Sequence, residues 1–183
     1  MSSVASPFGL KPAFHTSGII RQLQSTIVSG FPTDIFQFSP VAIDPATGAL
    51  TVVAPGNPVV GAFMGVEWTG TDGRRRVGNR WEANTVGTDI VAYYTEDPYM
   101  VYEIQSNDPV PLADVGAQFN FSALGGNAVT GLSNVSLDHA GGAGTDCRIL
   151  GVNPAPDNIF GDAFTIVQVQ LSNHQYVAAR AAI

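Results

Sequence analysis

The chain has 183 residues, of which 45% are hydrophobic, with 8 basic and 15 acidic side chains and a formal net charge of -7. That length suits a single domain with its own core. The acidity excludes general nucleic-acid binding, which needs clustered cations against phosphates, and no apolar run approaches the roughly 18 residues that cross a bilayer.

Only 13% of the residues are charged, against about 25% in typical soluble domains. Such a surface suits extensive contact with other chains, because charge is depleted at interface centres. Met1 to Leu10 carries neither the positive charge nor the apolar core of a secretory signal, so a cytoplasmic origin is expected. Residues 1–34 hold Pro7, Pro12 and Pro32 with weak periodicity and read as an extended N-terminal arm before a β-rich domain at 35–183.

The domain opens with Asp34 to Ser39, where Phe36 and Phe38 share a face as in a strand. Asp44-Pro45-Ala46-Thr47-Gly48 and Ala54-Pro55-Gly56-Asn57-Pro58 are turn sequences bracketing a short strand at Ala49 to Val53. Val59 to Trp68 is a further strand, and Thr71-Asp72-Gly73 supplies the Asp-Gly signal of a hairpin tip. Ile90 to Thr95 is rich in Val and Tyr, and Glu96-Asp97-Pro98-Tyr99 reads as the turn of a hairpin between strands 90–95 and 99–105. Met100, Tyr102 and Ile104 alternate there with Glu103 and Gln105. Residues 122–146 have the composition of a long Gly-rich surface loop, with one brief strand around Val135 to Leu137. Near the end Val167, Val169 and Leu171 alternate with Gln168, Gln170 and Ser172. No stretch shows helical periodicity. The expected fold is mainly β, a β-sandwich or open barrel of short antiparallel strands.

Little in the chain points to catalysis. Cys147 is alone in the apolar run Cys147 to Val152, where a buried small hydrophobe is expected and no intramolecular disulfide can form. His15, His139 and His174 belong to no metal-ligand spacing, so no metal is expected. Asp89, Glu96 and Asp97 are explained by turn chemistry without an acid–base pair. No nucleophile elbow, Walker loop or dinucleotide fingerprint occurs, and Gly141-Gly142-Ala143-Gly144 lacks the lysine and helix of a phosphate cradle. The expectation is a non-enzyme with no catalytic residue and no cofactor.

The sharpest electrostatic feature is Arg74-Arg75-Arg76 with Arg80, half of the 8 basic residues. These arginines could pair bidentately with a partner's carboxylates, or form a solvated hairpin tip paired locally with Glu67, Asp72 and Glu82. Trp68 and Trp81 flank the cluster as core or interface-rim residues. A carbohydrate-binding β-sandwich is a rival reading, with Trp81 beside Asn79 and Asn84 as its only candidate platform.

Taken together, several blocks resemble the head decoration (cement) proteins of tailed phages. Ser6-Pro7-Phe8-Gly9-Leu10-Lys11-Pro12 looks like their opening, and Gly61-Ala62-Phe63-Met64-Gly65-Val66 resembles a central strand. Ile90 to Gln105, with Glu96-Asp97-Pro98 and Tyr102-Glu103-Ile104-Gln105, is similar to a third block. Arg148-Ile149-Leu150-Gly151-Val152, Pro156-Asp157-Asn158 and the closing strand from Phe164 to Gln175, with Asn173-His174-Gln175-Tyr176, complete the series in order. The loops depart from the pattern, above all residues 122–146.

The resemblance implies a virion protein on the outer capsid surface that bridges major capsid protein subunits, made in a bacterial cytoplasm, without nucleic-acid or membrane contact. It implies a homo-oligomer, a trimer in preference to a dimer. The expected contact residues are Pro7, Phe8, Leu10, Lys11, Pro12, Phe14 and His15 of the arm, laid against another chain by strand addition, together with Arg74, Arg75, Arg76 and Arg80. Another virion β protein, a head-fibre base or a tail-associated component, is the alternative within the same class.

Overall fold

The computed structural model describes residues 4–181. Its strands are β1 (Lys11–Phe14), β2 (Leu23–Ser25), β3 (Pro40–Ile43), β4 (Leu50–Val52), β5 (Gly61–Gly70), β6 (Arg75–Gly78), β7 (Gly87–Tyr94), β8 (Val101–Gln105), β9 (Gln118–Phe119), β10 (Gly126–Asn127), β11 (Leu132–Ser133), β12 (Cys147–Val152) and β13 (Ile166–Leu171). One 3-10 turn, Leu112–Asp114, is the only helical element among the described residues, and no helix there is long and apolar enough to cross a membrane. The chain is mainly β, as the alternation predicts.

The first sheet has the order β1-β8-β13-β12-β9, and the second runs β2-β7-β5-β3-β4 with β6 also on β5. Every ladder between these strands is antiparallel. In β13 the period-two pattern is realised directly: Val167, Val169 and Leu171 are buried while Gln168 and Gln170 stay half-exposed on the other face.

Two apolar cores share the second sheet. One gathers Tyr102, Ile104, Phe119, Cys147, Ile149, Val167 and Val169 from the first sheet with Ala42, Val59 and Ala62. The other holds Val41, Val60, Phe63 and Val66 with Ile27, Ile35 and Trp81. Consecutive residues of β3 and of the entry to β5 therefore face opposite cores, so Val59 to Val66 reads as an almost unbroken apolar run. Trp81 and Ile35 exchange backbone hydrogen bonds at 2.9 and 2.8 Å, which ties the two loops closing the second core. Trp68 meets Trp81 edge-on, with ring centroids 5.6 Å apart.

Glycine is required where β5 begins. A Cβ on Gly61 would lie 1.7 Å from the Thr95 carbonyl oxygen, so a side chain there would push the backbones apart. Beside it, Thr95 Oγ1 accepts the Ala62 N–H at 3.0 Å and lies 2.8 Å from the Tyr102 hydroxyl, joining the two sheets through a buried polar contact. Burial pushes the Tyr102 phenol well up from its ordinary pKa.

Asp146 is a second internal tie. Its side chain is fully buried, and its carboxylate accepts the Gly56 N–H at 2.9 and 3.0 Å and the Phe121 N–H at 2.9 Å. Its carbonyl accepts from Ser172 at 2.9 Å. Burial raises its pKa, against the lowering effect of the two N–H donors.

Four expectations change. Asp34 to Ser39 is not a strand: Ile35 and Gln37 make single bridges, and Phe38 adopts a φ of 67°, which breaks the pleat. Strands β7 and β8 are not a hairpin, since β7 pairs with β2 and β5 while β8 pairs with β1 and β13. Residues 95–100 therefore cross from one sheet to the other. The first 34 residues supply β1 and β2 to the two sheets, with Leu10 and Ile27 buried in the cores. Residues 122–146 are structured too: β10 pairs with β11, and Val135 and Leu137 are fully buried.

Candidate interaction surface

The arginine cluster lies on the β5–β6 hairpin, whose turn at 71–73 uses Gly73 at a φ of +74°. Arg75 and Arg76 belong to strand β6, one residue beyond the turn. Each cationic group already has an anion nearby: Arg75 with Glu67 at 3.2 Å, Arg76 with Asp72 at 3.2 Å, Arg80 with Glu82 at 3.8 Å and Arg74 with Asp72 at 3.9 Å. Arg75 also donates to the Asp89 carbonyl at 2.7 Å. The Tyr93 hydroxyl donates to Glu67 at 2.7 Å, and this bond, followed by Arg75, holds the Glu67 carboxyl below its usual range. The Arg74 N–H and then the Arg76 guanidinium do the same for Asp72. Of the two readings for this cluster, local pairing accounts for most of its charge; Arg74, with 85% of its side chain exposed, is the least engaged.

The N-terminal contact residues divide. Pro7 and Phe8 are half-buried, and Leu10 is fully buried with its N–H on the Phe38 carbonyl at 2.7 Å. Lys11 reaches Glu103 at 3.7 Å. Strand β1 pairs with β8 of its own chain, so only its outer edge is open to another molecule. That edge is poor for strand addition, because Pro12 has no N–H and the register shifts between Pro12 and Phe14. Phe14 is 45% exposed, and His15 contacts Asp97 at 3.2 Å.

A different surface emerges around the 95–100 crossover. Exposed in the segments that meet there are Phe14 and Ile19 from the N-terminal segment, Tyr99 from the crossover and Tyr176 from the tail. Ile19 and Arg21 line one hollow with Asp97 and Met100, and Arg21 lines the next with Glu96 and Pro98. On the other flank the Arg180 guanidinium lies 4.8 Å from the Tyr99 ring centroid. His174 Nε2 bonds the Glu96 carbonyl at 2.8 Å and its ring meets Tyr176 edge-on at 5.9 Å; burial holds its pKa down. Glu96 accepts from the Tyr94 hydroxyl at 2.6 Å. Sequence reasoning named Phe14 and His15 of this surface and missed the rest, whose contributors are separated by some eighty residues at each step.

The remaining candidates are structural. His139 lies 2.7 Å from Asp114 and 3.8 Å from Asp108 and packs on Phe119. No group of three metal-ligating side chains occurs among the described residues. Cys147 is buried, and burial raises its thiol pKa well above the usual value. Trp81 is fully buried, so it cannot be a sugar platform, and Asn79 donates instead to the Thr130 carbonyl at 2.8 Å. Comparison with protein-family models, curated proteins and solved structures yields no match for the chain.

Proposed function

We propose that this chain is a structural protein of a virus particle, a decoration protein that binds the outer surface of a tailed-phage head and stabilises it by bridging major capsid protein subunits. The observation that carries the reading is where its resembling blocks lie. Although scattered from Ser6 to Tyr176, they are neighbours in space. Lys11 and Pro12 pair with Glu103 and Tyr102, and β8 pairs in turn with β13. Gln105 accepts from Ser6 N–H at 2.7 Å. The closing Asn173-His174-Gln175 block grips Val59 through backbone bonds at 2.9 Å and clamps both polar groups of Ile43 through the Gln175 amide at 2.9 and 2.7 Å. Blocks that hold one framework together are expected to travel together in a family, which supports reading them jointly.

The physics of the role agrees with a charge-poor surface. A clamp that touches several capsid subunits gains from effective concentration, since after the first contact the others form intramolecularly. Few charges mean little desolvation cost on docking.

The test is to mix the purified protein with expanded, undecorated heads, count bound copies, and measure the temperature at which heads release DNA. Saturable binding at a fixed ratio with a higher release temperature is expected. Heads that bind no saturable complement and release DNA at an unchanged temperature refute the reading.

A further inference from the structure

We propose that His174 is an acid-released latch, fastening the segment from Tyr176 to Ala181 to the body of the protein at neutral pH. The residue is only 2% exposed, and both ring nitrogens are committed. Nδ1 accepts the Tyr176 N–H at 3.1 Å, which only an unprotonated nitrogen can do. Nε2 therefore carries the hydrogen and donates it to the Glu96 carbonyl at 2.8 Å. A neutral imidazole satisfies both contacts. An imidazolium has a donor at each nitrogen, so its Nδ1–H meets the Tyr176 N–H head-on.

A hinge lies at the same place. Up to Gln175 the chain is held by contacts indifferent to pH: Asn173 and Gln175 bond the Val59 backbone at 2.9 Å, and the Gln175 amide holds both polar groups of Ile43. Beyond it Tyr176 to Ala179 are exposed, and the Val177 N–H reaches the His174 carbonyl only at 3.4 Å. The Arg180 N–H donates to the Ser172 carbonyl at 3.0 Å, its carbonyl accepts from the Gln118 amide, and its guanidinium rests on the Tyr99 ring. Arg148 reaches the Ala181 carbonyl at 3.5 Å. Releasing the segment thus strips a partner from each of Gln118, Arg148 and Tyr99.

Charges around the ring set the direction. The crossover brings the Glu96 carboxylate toward it, already accepting from the Tyr94 hydroxyl. The tail brings the Arg180 guanidinium and the Tyr176 ring, and the entry to β5 offers backbone alone. Burial outweighs the carboxylate and holds the ring's pKa down. Lifting the segment frees Nδ1 and takes Arg180 away, so the open form gains a proton at the ordinary histidine value of about 6.5 and the closed form only below it. One linked proton shifts the opening equilibrium by up to about tenfold per pH unit across that window, toward release as pH falls.

Head binding plays no part in the test, which uses the full chain alone. Amide hydrogen exchange is followed by NMR from about pH 7.5 to about pH 5, above the ordinary carboxylate range. Each rate is referred to that of an unstructured peptide at the same pH. Protection at Tyr176 and Arg180 is expected to fall together by about tenfold, while the amides of β13 keep theirs. His174→Asn retains an acceptor for the Tyr176 N–H and cannot titrate, so its protection stays flat with pH. Should that variant fail to fold, the wild type decides alone: the His174 ring and the Tyr176 amide shift with one midpoint below about 6.5. Wild-type protection that is flat with pH, a parallel loss in β13, or ring and amide midpoints that differ overturns the proposal. So does an equal loss in folded His174→Asn, which titration of His15 against Asp97 would produce.

Discussion

Replacing Asp146 tests whether a buried carboxylate without a counter-ion holds this fold together. Asp146→Ala orphans the buried Phe121 N–H and frees the Gly56 N–H, which lies at an exposed turn and can turn to water. An orphaned buried donor costs about 1–3 kcal/mol, and the lost charge-assisted bond at Gly56 adds about 1 kcal/mol. The total is about 2–4 kcal/mol, lowering Tm by about 5–15 °C for a chain of this length. Asp146→Asn keeps one acceptor oxygen but turns an amide N–H₂ toward a donor, so about half that loss is expected. The pH dependence separates charge from shape. Because burial raises the folded-state pKa, the folded chain binds more protons than the unfolded one between the ordinary carboxylate value and the raised one. The Asp146 contribution therefore rises as pH falls through that window and declines as pH rises through it. Urea unfolding from pH 3.5 to pH 7 should show the gap between wild type and Asp146→Asn widening toward acid. An Asp146→Ala variant as stable as wild type, or a gap that stays flat with pH, refutes the reasoning.

Two further predictions use the core. Gly61→Ala forces a methyl against the Thr95 carbonyl, where no flexible side chain can yield; a loss of more than about 3 kcal/mol is expected, read as a collapse of Tm and of soluble yield. Cys147 should resist a thiol reagent in native buffer and become reactive only along the urea unfolding curve; modification within minutes under native conditions contradicts its buried, pKa-raised state.

The sequence was most readable where a strand has one wet face. Gln168 and Gln170 mark the outer face of β13, and Glu103 marks that of β8, so period two appears plainly. It was least readable where sterics or tertiary contact decided. The alternation of Phe36 and Phe38 imitates a strand, but Phe38 turns to positive φ. Glu96-Asp97-Pro98-Tyr99 carries genuine turn chemistry, with the Tyr99 N–H on Asp97 Oδ1 at 2.8 Å. Turn chemistry does not say which strand the chain meets next, and here it meets another sheet. Leu10 and Ile27 could have hinted that the first 34 residues pack into the domain. At the hairpin, the acids that neutralise the arginines are visible in sequence as Glu67, Asp72 and Glu82. The crossover surface left no such trace, because residues near 20, 99 and 177 become neighbours only after both sheets close.

The Gln175 amide holds Ile43, 132 positions earlier, and β1 waits on β8 for its only ladder. The second sheet is complete in sequence by Tyr94, but β1 must wait past residue 101 for a partner, and the first sheet is not whole until β13 ends at Leu171. Non-local pairing of this kind makes folding slow and leaves unpaired edges exposed in the interval. Nascent chains stalled short of residue 171 should remain protease-sensitive over β1, β8 and β12, while the strands of the second sheet gain protection first.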